Sequence, residues 1–306
     1  TVCQHYRPQP NPNLKFSQVR SKLVLLPQQS SAGQAILKPA VKVHYRVKQP
    51  SKKIAETWVV FVDATQPSKI LRAARKRRAF LDTGPGGNGN TGLYHYGMAG
   101  LPLLSVTQQN NHCAMDNRII RVVDMTAHQS LTDNATHVLS YLDPFNYLCG
   151  TDARDVGGNA KGFYNGAFSP ADDAYYFGLL VANMYRDWLG VPTIVNQRGE
   201  AEKLLFRVHI VDPYFDPKYD SNPHYYDNAF WDPETRTMNF GDGDPKIFYP
   251  LISPEVVGHE ISHGFTQDHS DLDYGVGISG SLNEAYSDVA GIATKAYLLA
   301  EYPQLY

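Results

Sequence analysis

The sequence has 306 residues, of which 42% are apolar and 19% charged, and its formal net charge is −2 at pH 7. The apolar content excludes a wholly disordered chain, because it supplies enough side chains for a sizeable core. The small net charge provides no overall attraction to nucleic acid or to an anionic membrane, and no apolar run is long enough to span a bilayer. The sequence opens at Thr1 without a methionine, so we expect it to begin inside a longer precursor.

The cysteines are Cys3, Cys113 and Cys149, and none of them falls in the C-x-x-C pattern that is typical of cysteine zinc sites. Cys113 and Cys149 either form a disulfide or remain two buried free thiols. A disulfide would close a loop whose entropy contributes roughly 4 kcal/mol. Cys3 is then left over.

The first part of the chain differs in composition from the rest. Residues 1–40 are rich in Pro, Gln, Ser and Asn and lack periodicity, which predicts a loose segment. Residues 41–47 and 58–62 alternate apolar and polar side chains around a polar turn, which predicts a β-hairpin. The basic run Arg75-Lys76-Arg77-Arg78 is either a solvated linker or a junction accessible to proteases. We therefore place a domain boundary at about residue 78.

The middle of the chain shows short strand-like runs and one helical segment. Apolar residues recur at helical spacing in residues 171–190, which end at a glycine and a proline. Turn residues between two apolar runs predict a hairpin near residue 232. The strands that we expect here are residues 119–125, 204–211, 228–231 and 238–240.

Two helices are predicted near the end of the sequence. The first has Ser253 as N-cap, Pro254 at the first helical position and Glu255 to complement the helix dipole, and it runs to about Gln267. The second is predicted to span residues 282–299.

The first of these helices carries two histidines with metal-ligand spacing. His259 and His263 are four residues apart, so both imidazoles lie on one face and are close enough to share one ion. Glu260 points alongside the same site, where it can take a proton from a bound water. The second helix presents Glu284 as a third ligand and, four residues later, Asp288, which is placed to fix the tautomer of a ligating imidazole.

The residues that carry this chemistry resemble a known family. Residues 259–266 (HEISHGFT) and 283–288 (NEAYSD) resemble the thermolysin family of zinc endopeptidases, in particular its elastase-like (pseudolysin/vibriolysin-like) branch. Residues 228–231 (NAFW), 240–244 (FGDGD) and 84–88 (GPGGN) match the same family. Residues 41–71 resemble the last part of its prodomain.

The resemblance implies an α+β, thermolysin-like (zincin) fold: a β-rich N-terminal lobe that ends in the active-site helix and is followed by the start of a helical lobe. Residues 1–78 would be the C-terminal part of a prodomain with a basic processing junction, residues 79–250 the β-rich catalytic lobe, and residues 251–306 the active-site helices. Most of the C-terminal helical lobe, with a histidine that helps to hold the oxyanion, would be missing.

The resemblance also implies roles for individual residues. His259, His263 and Glu284 would be the zinc ligands, Glu260 the general base, and Asp288 the hydrogen-bond partner of a ligating imidazole.

Further positions match the substrate cleft of the family. Tyr274 would help to stabilise the oxyanion, or is an ordinary core or loop tyrosine. Asn228 and Ala229 would form the edge strand that pairs with the substrate backbone. The apolar pocket for the residue after the scissile bond, or alternatively plain core, would be formed by Phe248, Leu251 and Val256.

The resemblance also bears on a disulfide and on a calcium site. Cys113 and Cys149 match a disulfide of the elastase-like branch. A calcium site is possible but doubtful: Glu255 is available as a ligand, whereas Ile292 and Lys295 stand where two later carboxylates are expected, and a cation cannot ligate calcium.

Together these observations predict a secreted zinc metalloendopeptidase made as a zymogen. It would cleave internal peptide bonds on the amino side of hydrophobic residues, and its own prodomain would inhibit it. Its partners would be protein or peptide substrates, with no nucleic acid and no membrane. The alternative is a non-catalytic, zinc-stabilised module that grips extended peptides, although such a module has no need for Glu260.

Overall fold

The computed structural model describes residues 15–29, 35–48, 56–75, 78–126, 143–153, 165–212, 216, 218, 225–270, 272, 274–275 and 277–303. The chain divides into two compact units, Thr1–Arg78 and Ala79–Tyr306. Among the described residues, no helix combines the length and the apolar character needed to cross a bilayer.

The first unit contains a four-stranded antiparallel sheet whose strand order follows the sequence. Its strands are β1 (Lys15–Gln29), β2 (Ala35–Lys48), β3 (Glu56–Asp63) and β4 (Ile70–Arg75). The predicted hairpin is confirmed, because β2 and β3 pair with Val43 opposite Val60, and both side chains are buried.

The prediction of a loose segment over residues 1–40 is wrong for the described residues of β1 and for the start of β2. The two strands pair with each other along nearly their full length, so cross-strand hydrogen bonds stabilise an extended chain that local periodicity does not announce. Residues 1–14 and 30–34 lie outside the described residues.

The described residues of the second unit form ten strands in three sheets. The sheet that positions the candidate site has the order β10-β12-β14-β13. Its first three strands run parallel, and β13 lies antiparallel to β14 at the edge. The strands are β5 (Arg78–Asp82), β6 (Gly84–Gly86), β7 (Tyr94–Tyr96), β8 (Leu104–Gln109), β9 (His112–Ala114), β10 (Ile120–Asp124), β11 (Asn146–Leu148), β12 (Leu204–Ile210), β13 (Ala229–Asp232) and β14 (Thr237–Gly241).

In the part of the chain that the structure describes, the three predicted helices are present as α-helices, with shifted ends. α1 (Pro170–Met184) continues as a π-helical turn and stops at Gly190, whose φ of 71° favours glycine. α2 (Pro254–Ser270) begins as expected, with the Ser253 hydroxyl accepting the Val256 N–H at 3.2 Å. α3 (Ile278–Glu301) begins four residues earlier than predicted.

The main core lies between the β10-β12-β14-β13 sheet and the helices, and it fixes how α2 presents its polar side chains. Val257 and Ile261 of α2 are fully buried in this core. α2 and α3 approach closely at Gly258, where a Cβ atom would lie 2.4 Å from the Thr294 hydroxyl. This packing brings the polar residues of the two helices together.

The implied disulfide between Cys113 and Cys149 is present, with the two Cα atoms 5.0 Å apart and 36 residues of separation. It ties β9 to the segment after β11, and a loop of this length contributes roughly 4 kcal/mol by chain entropy. Cys3 lies outside the described residues.

Candidate metal centre and cleft

Two adjacent helices bring three potential metal ligands together. His259 and His263 lie one turn apart on α2, and Glu284 comes from the first half of α3. The Nε2 atoms of the two histidines are 2.9 Å apart, and a Glu284 oxygen lies 3.2 Å from His259 Nε2 and 3.7 Å from His263 Nε2. Among the described residues, this is the one group of three side chains able to hold a metal ion.

Hydrogen bonds at the Nδ1 atoms orient both imidazoles. His259 Nδ1 lies 3.0 Å from Asp288 Oδ1, the contact expected from the sequence. His263 Nδ1 lies 2.7 Å from Asn283 Oδ1. Because both partners accept, both Nδ1 atoms donate, and the Nε2 atoms keep their lone pairs.

The sequence reasoning did not assign a role to Asn283. This residue is buried, and it directly precedes Glu284 in the motif that carries the family resemblance. Its place directly before the ligand Glu284 on the same predicted helix is the sequence signal that could have identified it.

The dimensions of this cluster fit a tetrahedral zinc ion. Bonds of about 2.1 Å place the ligand atoms of such an ion about 3.4 Å from one another, and the three separations here range from 2.9 to 3.7 Å. Two imidazole lone pairs and a carboxylate oxygen at these distances repel each other unless a cation lies among them. Burial and the neighbouring His259 lower the pKa of His263, despite the opposing hydrogen bond to Asn283, which favours the neutral form that binds metal.

Glu260 lies beside the cluster and is 6% exposed. Its Oε2 atom accepts the backbone N–H of Trp231 at 2.8 Å. Burial raises the pKa of Glu260 to about 8, the negative charge of Glu284 adds to the rise, and the Trp231 hydrogen bond opposes it. A carboxylate with a raised pKa at a cleft is a candidate for proton transfer near neutral pH.

The cluster opens into a cleft of about 820 Å³, which is large enough for several residues of a peptide. One wall is strand β13, which lies at the edge of its sheet and, among the described residues, pairs with β14 alone. The cleft is lined by Asn228, Ala229, Phe230, Trp231, Pro233, His259, Glu260, His263, Gln267, Leu272, Tyr274, Asn283 and Glu284.

Tyr274 also lies at the cleft, and its side chain is 58% exposed. Its hydroxyl donates to Glu284, and this hydrogen bond raises the pKa of Tyr274. Its ring stands edge-on to His263 with 5.8 Å between centroids. The phenol is therefore within reach of a ligand bound at the cluster.

The structure does not place Phe248, Leu251 and Val256 at this cleft. Val256 is partly buried and packs against the main core, one turn before the histidines on α2. Phe248 is 48% exposed in the segment between β14 and α2. A role for these three residues in binding substrate stays a prediction.

The position considered for calcium holds an ion pair. Lys295 Nζ lies 2.6 Å from Glu255 Oε1 and joins α3 to α2. Burial raises the pKa of Glu255, but the hydrogen bond and the charge of Lys295, together with hydrogen bonds from the Glu255 backbone and Ser253, outweigh burial and leave the pKa below its usual value. An ammonium group here competes with calcium for the same carboxylate, so the residues present do not fit a calcium ion.

Comparison with known proteins identifies the family. The family model described as "Thermolysin metallopeptidase, catalytic domain" matches residues 89–267, and the chain belongs to this family, whose members depend on zinc.

Several bacterial metalloproteases are similar in sequence. The chain is 41% identical to a virulence metalloprotease of Vibrio anguillarum over 216 residues, covering 71% of the chain and 30% of the relative. It is 34% identical to the zinc metalloproteinase MspA of Legionella longbeachae over 263 residues, covering 85% and 44% respectively. It is 46% identical to an extracellular metalloprotease of Pectobacterium carotovorum subsp. carotovorum over 82 residues, covering 26% and 23%. The chain thus spans less than half the length of these relatives.

Proposed function

We propose that this chain carries the zinc centre and much of the substrate cleft of an endopeptidase. The observation that supports the proposal most strongly is the cluster of His259, His263 and Glu284 with the buried carboxylate of Glu260 beside it. A bound zinc ion would polarise the scissile carbonyl and lower the pKa of a water molecule.

The residues of the chain divide the remaining tasks. Glu260 takes the proton of the attacking water and passes it to the leaving amine. The Tyr274 hydroxyl donates a hydrogen bond to the developing oxyanion. The edge of the sheet at Asn228 and Ala229, where β13 begins, pairs with the extended backbone of the substrate.

We propose that cleavage occurs on the amino side of hydrophobic residues and that the protein is secreted as a zymogen. Residues 1–78 would act as an inhibitory prodomain, and cleavage near Arg78 and Ala79 would release the active form. The name of the Pectobacterium relative, an extracellular metalloprotease, supports secretion. The disulfide supports it too, because disulfides persist in oxidising compartments.

Casein hydrolysis by the full chain, measured before and after proteolytic cleavage near Arg78, tests the proposal. We expect activity that a chelator abolishes, that zinc restores, and that Glu260→Ala lowers by at least about a hundredfold. The exposed Glu301, elsewhere on α3, provides a control, because Glu301→Ala should leave activity unchanged. Activity that is unchanged both by the chelator and by Glu260→Ala would refute the proposal. Peptide binding without turnover would favour a binding module instead.

A further inference from the structure

The two walls of the cleft, strand β13 and helix α2, are joined by a set of contacts around Trp231. Its backbone N–H donates to Glu260 at 2.8 Å, and its indole N–H donates to Gln267 at 2.8 Å. The indole also packs against α2 at Gly264, where a Cβ atom would lie 3.2 Å from the ring. Trp231 therefore fixes the distance between the edge strand and the helix.

Arg236 holds this arrangement from the turn between β13 and β14. Its guanidinium carbon lies 5.7 Å from the centroid of the Trp231 ring. Two of its nitrogens donate to the two carboxylate oxygens of Asp268, at 3.0 and 2.8 Å. Further bonds reach Glu202 at 2.9 Å and the Val195 carbonyl at 3.0 Å.

The partner carboxylate lies on α2, five residues after His263. Asp268 is largely buried, with 8% of its side chain exposed, and it also accepts the Val195 N–H at 2.8 Å. A bidentate ion pair with an arginine is stronger and more directional than a pair with lysine. It ties the hairpin turn to the last part of the active-site helix.

The backbone of Arg236 adopts a conformation that is unfavourable for a residue other than glycine. Its φ is 54°, in the left-handed region that favours glycine. A non-glycine residue remains there when its surroundings over-determine its conformation. Here four hydrogen bonds from one guanidinium supply that constraint.

We propose that Arg236 and Asp268 are positioning residues of the cleft. Their ion pair holds Trp231 in place. Trp231 in turn fixes the distance between the edge strand β13 and Glu260. A substrate that adds to this edge is then presented to Glu260 at a fixed distance. The last statement rests on the proposed function, whereas the effect on Trp231 does not.

The test uses the full chain labelled with ¹⁵N-tryptophan, equilibrated with zinc. The sequence has three tryptophans, so three backbone amides and three indole N–H groups are observed, and Trp231→Phe assigns one of each. We expect Arg236→Lys and Asp268→Asn each to accelerate hydrogen exchange of the Trp231 amide about tenfold or more, with the amides of Trp58 and Trp188 unchanged.

The control is Arg121→Lys. Arg121 lies on β10, at the opposite edge of the same sheet, and donates to the buried Asp116 at 3.1 Å. This variant should leave exchange at Trp231 unchanged. Unchanged exchange in Arg236→Lys and Asp268→Asn would overturn the proposal, and so would equal acceleration in Arg121→Lys.

Kinetics provide an independent second readout. For Arg236→Lys we expect kcat/KM to fall about tenfold on an extended peptide that spans β13, and much less on a short peptide that cannot. Equal losses on both peptides would contradict positioning through the edge strand. If the wild-type chain cleaves neither peptide after it has been cut near Arg78, the proposed function fails, while the exchange experiment still decides the role of Arg236.

Discussion

Each imidazole of the candidate zinc site is oriented by a hydrogen bond at its Nδ1 atom, His259 by Asp288 and His263 by Asn283. Spacing along the sequence placed the two histidines on one face of a helix. It could not show which neighbour accepts from His263, because that depends on how α3 is rotated against α2. The acceptor at Asn283 is buried, so no water replaces it easily.

Removing this acceptor should weaken zinc binding. We expect Asn283→Ala to raise the zinc dissociation constant about 10- to 100-fold, because His263 loses the bond that fixes its tautomer. Asn283→Asp, which keeps an acceptor oxygen, should recover most of the affinity. Competition with a chromophoric chelator measures both. Equal affinities for the alanine variant and the wild type would contradict this role.

The buried carboxylate of Glu260 predicts how the metal-free chain responds to pH. Its pKa in the folded chain is about 8, against 4.5 for the unperturbed group. Between these values the folded state binds more protons than the unfolded state, so the free energy of unfolding falls as pH rises through this window. The loss amounts to at most about 5 kcal/mol.

Urea denaturation of the chelated full chain at pH 5 and pH 8 measures this effect. Glu260→Gln removes the titrating group but keeps an acceptor for the Trp231 N–H. We expect the variant to lose much less stability than the wild type between the two pH values. The same loss in both proteins would contradict a raised pKa at Glu260.

The helix that carries the histidines depends on its first turn. Ser253 caps α2 through the Val256 N–H, and Ser253→Ala should lower the free energy of unfolding by about 1 kcal/mol. Ser281→Ala, at an exposed position inside α3, is the control and should change stability by less than about 0.5 kcal/mol. Thermal or urea unfolding compares the two variants. A cost no larger than that of the control would show that the cap is unimportant.

The contact between α2 and α3 at Glu255 and Lys295 predicts how the chain responds to calcium. We expect calcium not to bind at this position, because the ammonium of Lys295 already neutralises Glu255. The melting temperature of the wild type should therefore be the same with and without calcium. Lys295→Glu places two carboxylates together, so calcium should raise the melting temperature of that variant. Calorimetry with calcium and with a calcium chelator compares them. A calcium-dependent wild type that loses this dependence in Glu255→Gln would contradict the expectation.

The strands and helices differ in how well the sequence predicts them. The hairpin of β13 and β14 and the cap of α2 follow from local turn and capping residues. β1 was missed because its stability comes from pairing with β2. The ion pair of Arg236 with Asp268 joins residues 32 positions apart, and nothing local in the sequence indicates it.

The division of the chain into two compact units falls directly after the basic run that ends at Arg78. Boundaries between units are preferred sites of proteolysis. We expect limited digestion with trypsin to cut first in this run and to raise casein hydrolysis, if Thr1–Arg78 inhibits the rest of the chain. N-terminal sequencing of the large fragment identifies the cut.

A chain in which the four basic residues of this run are replaced by glutamine provides the matched control. It should resist this first cut and keep its original activity after the same treatment. A first cut elsewhere, or cleavage here without any gain in activity, would contradict the assignment of residues 1–78 as an inhibitory prodomain.

A zinc ion held between α2 and α3 is central to the proposed function, and the zinc content of the folded chain after gel filtration tests for it directly. We predict one zinc per chain in the wild type and in the Glu301→Ala control, and a loss of bound zinc in His263→Ala and Glu284→Ala. A correctly folded wild-type chain without stoichiometric zinc, or full retention of zinc in both ligand variants, would contradict a zinc site formed by these residues.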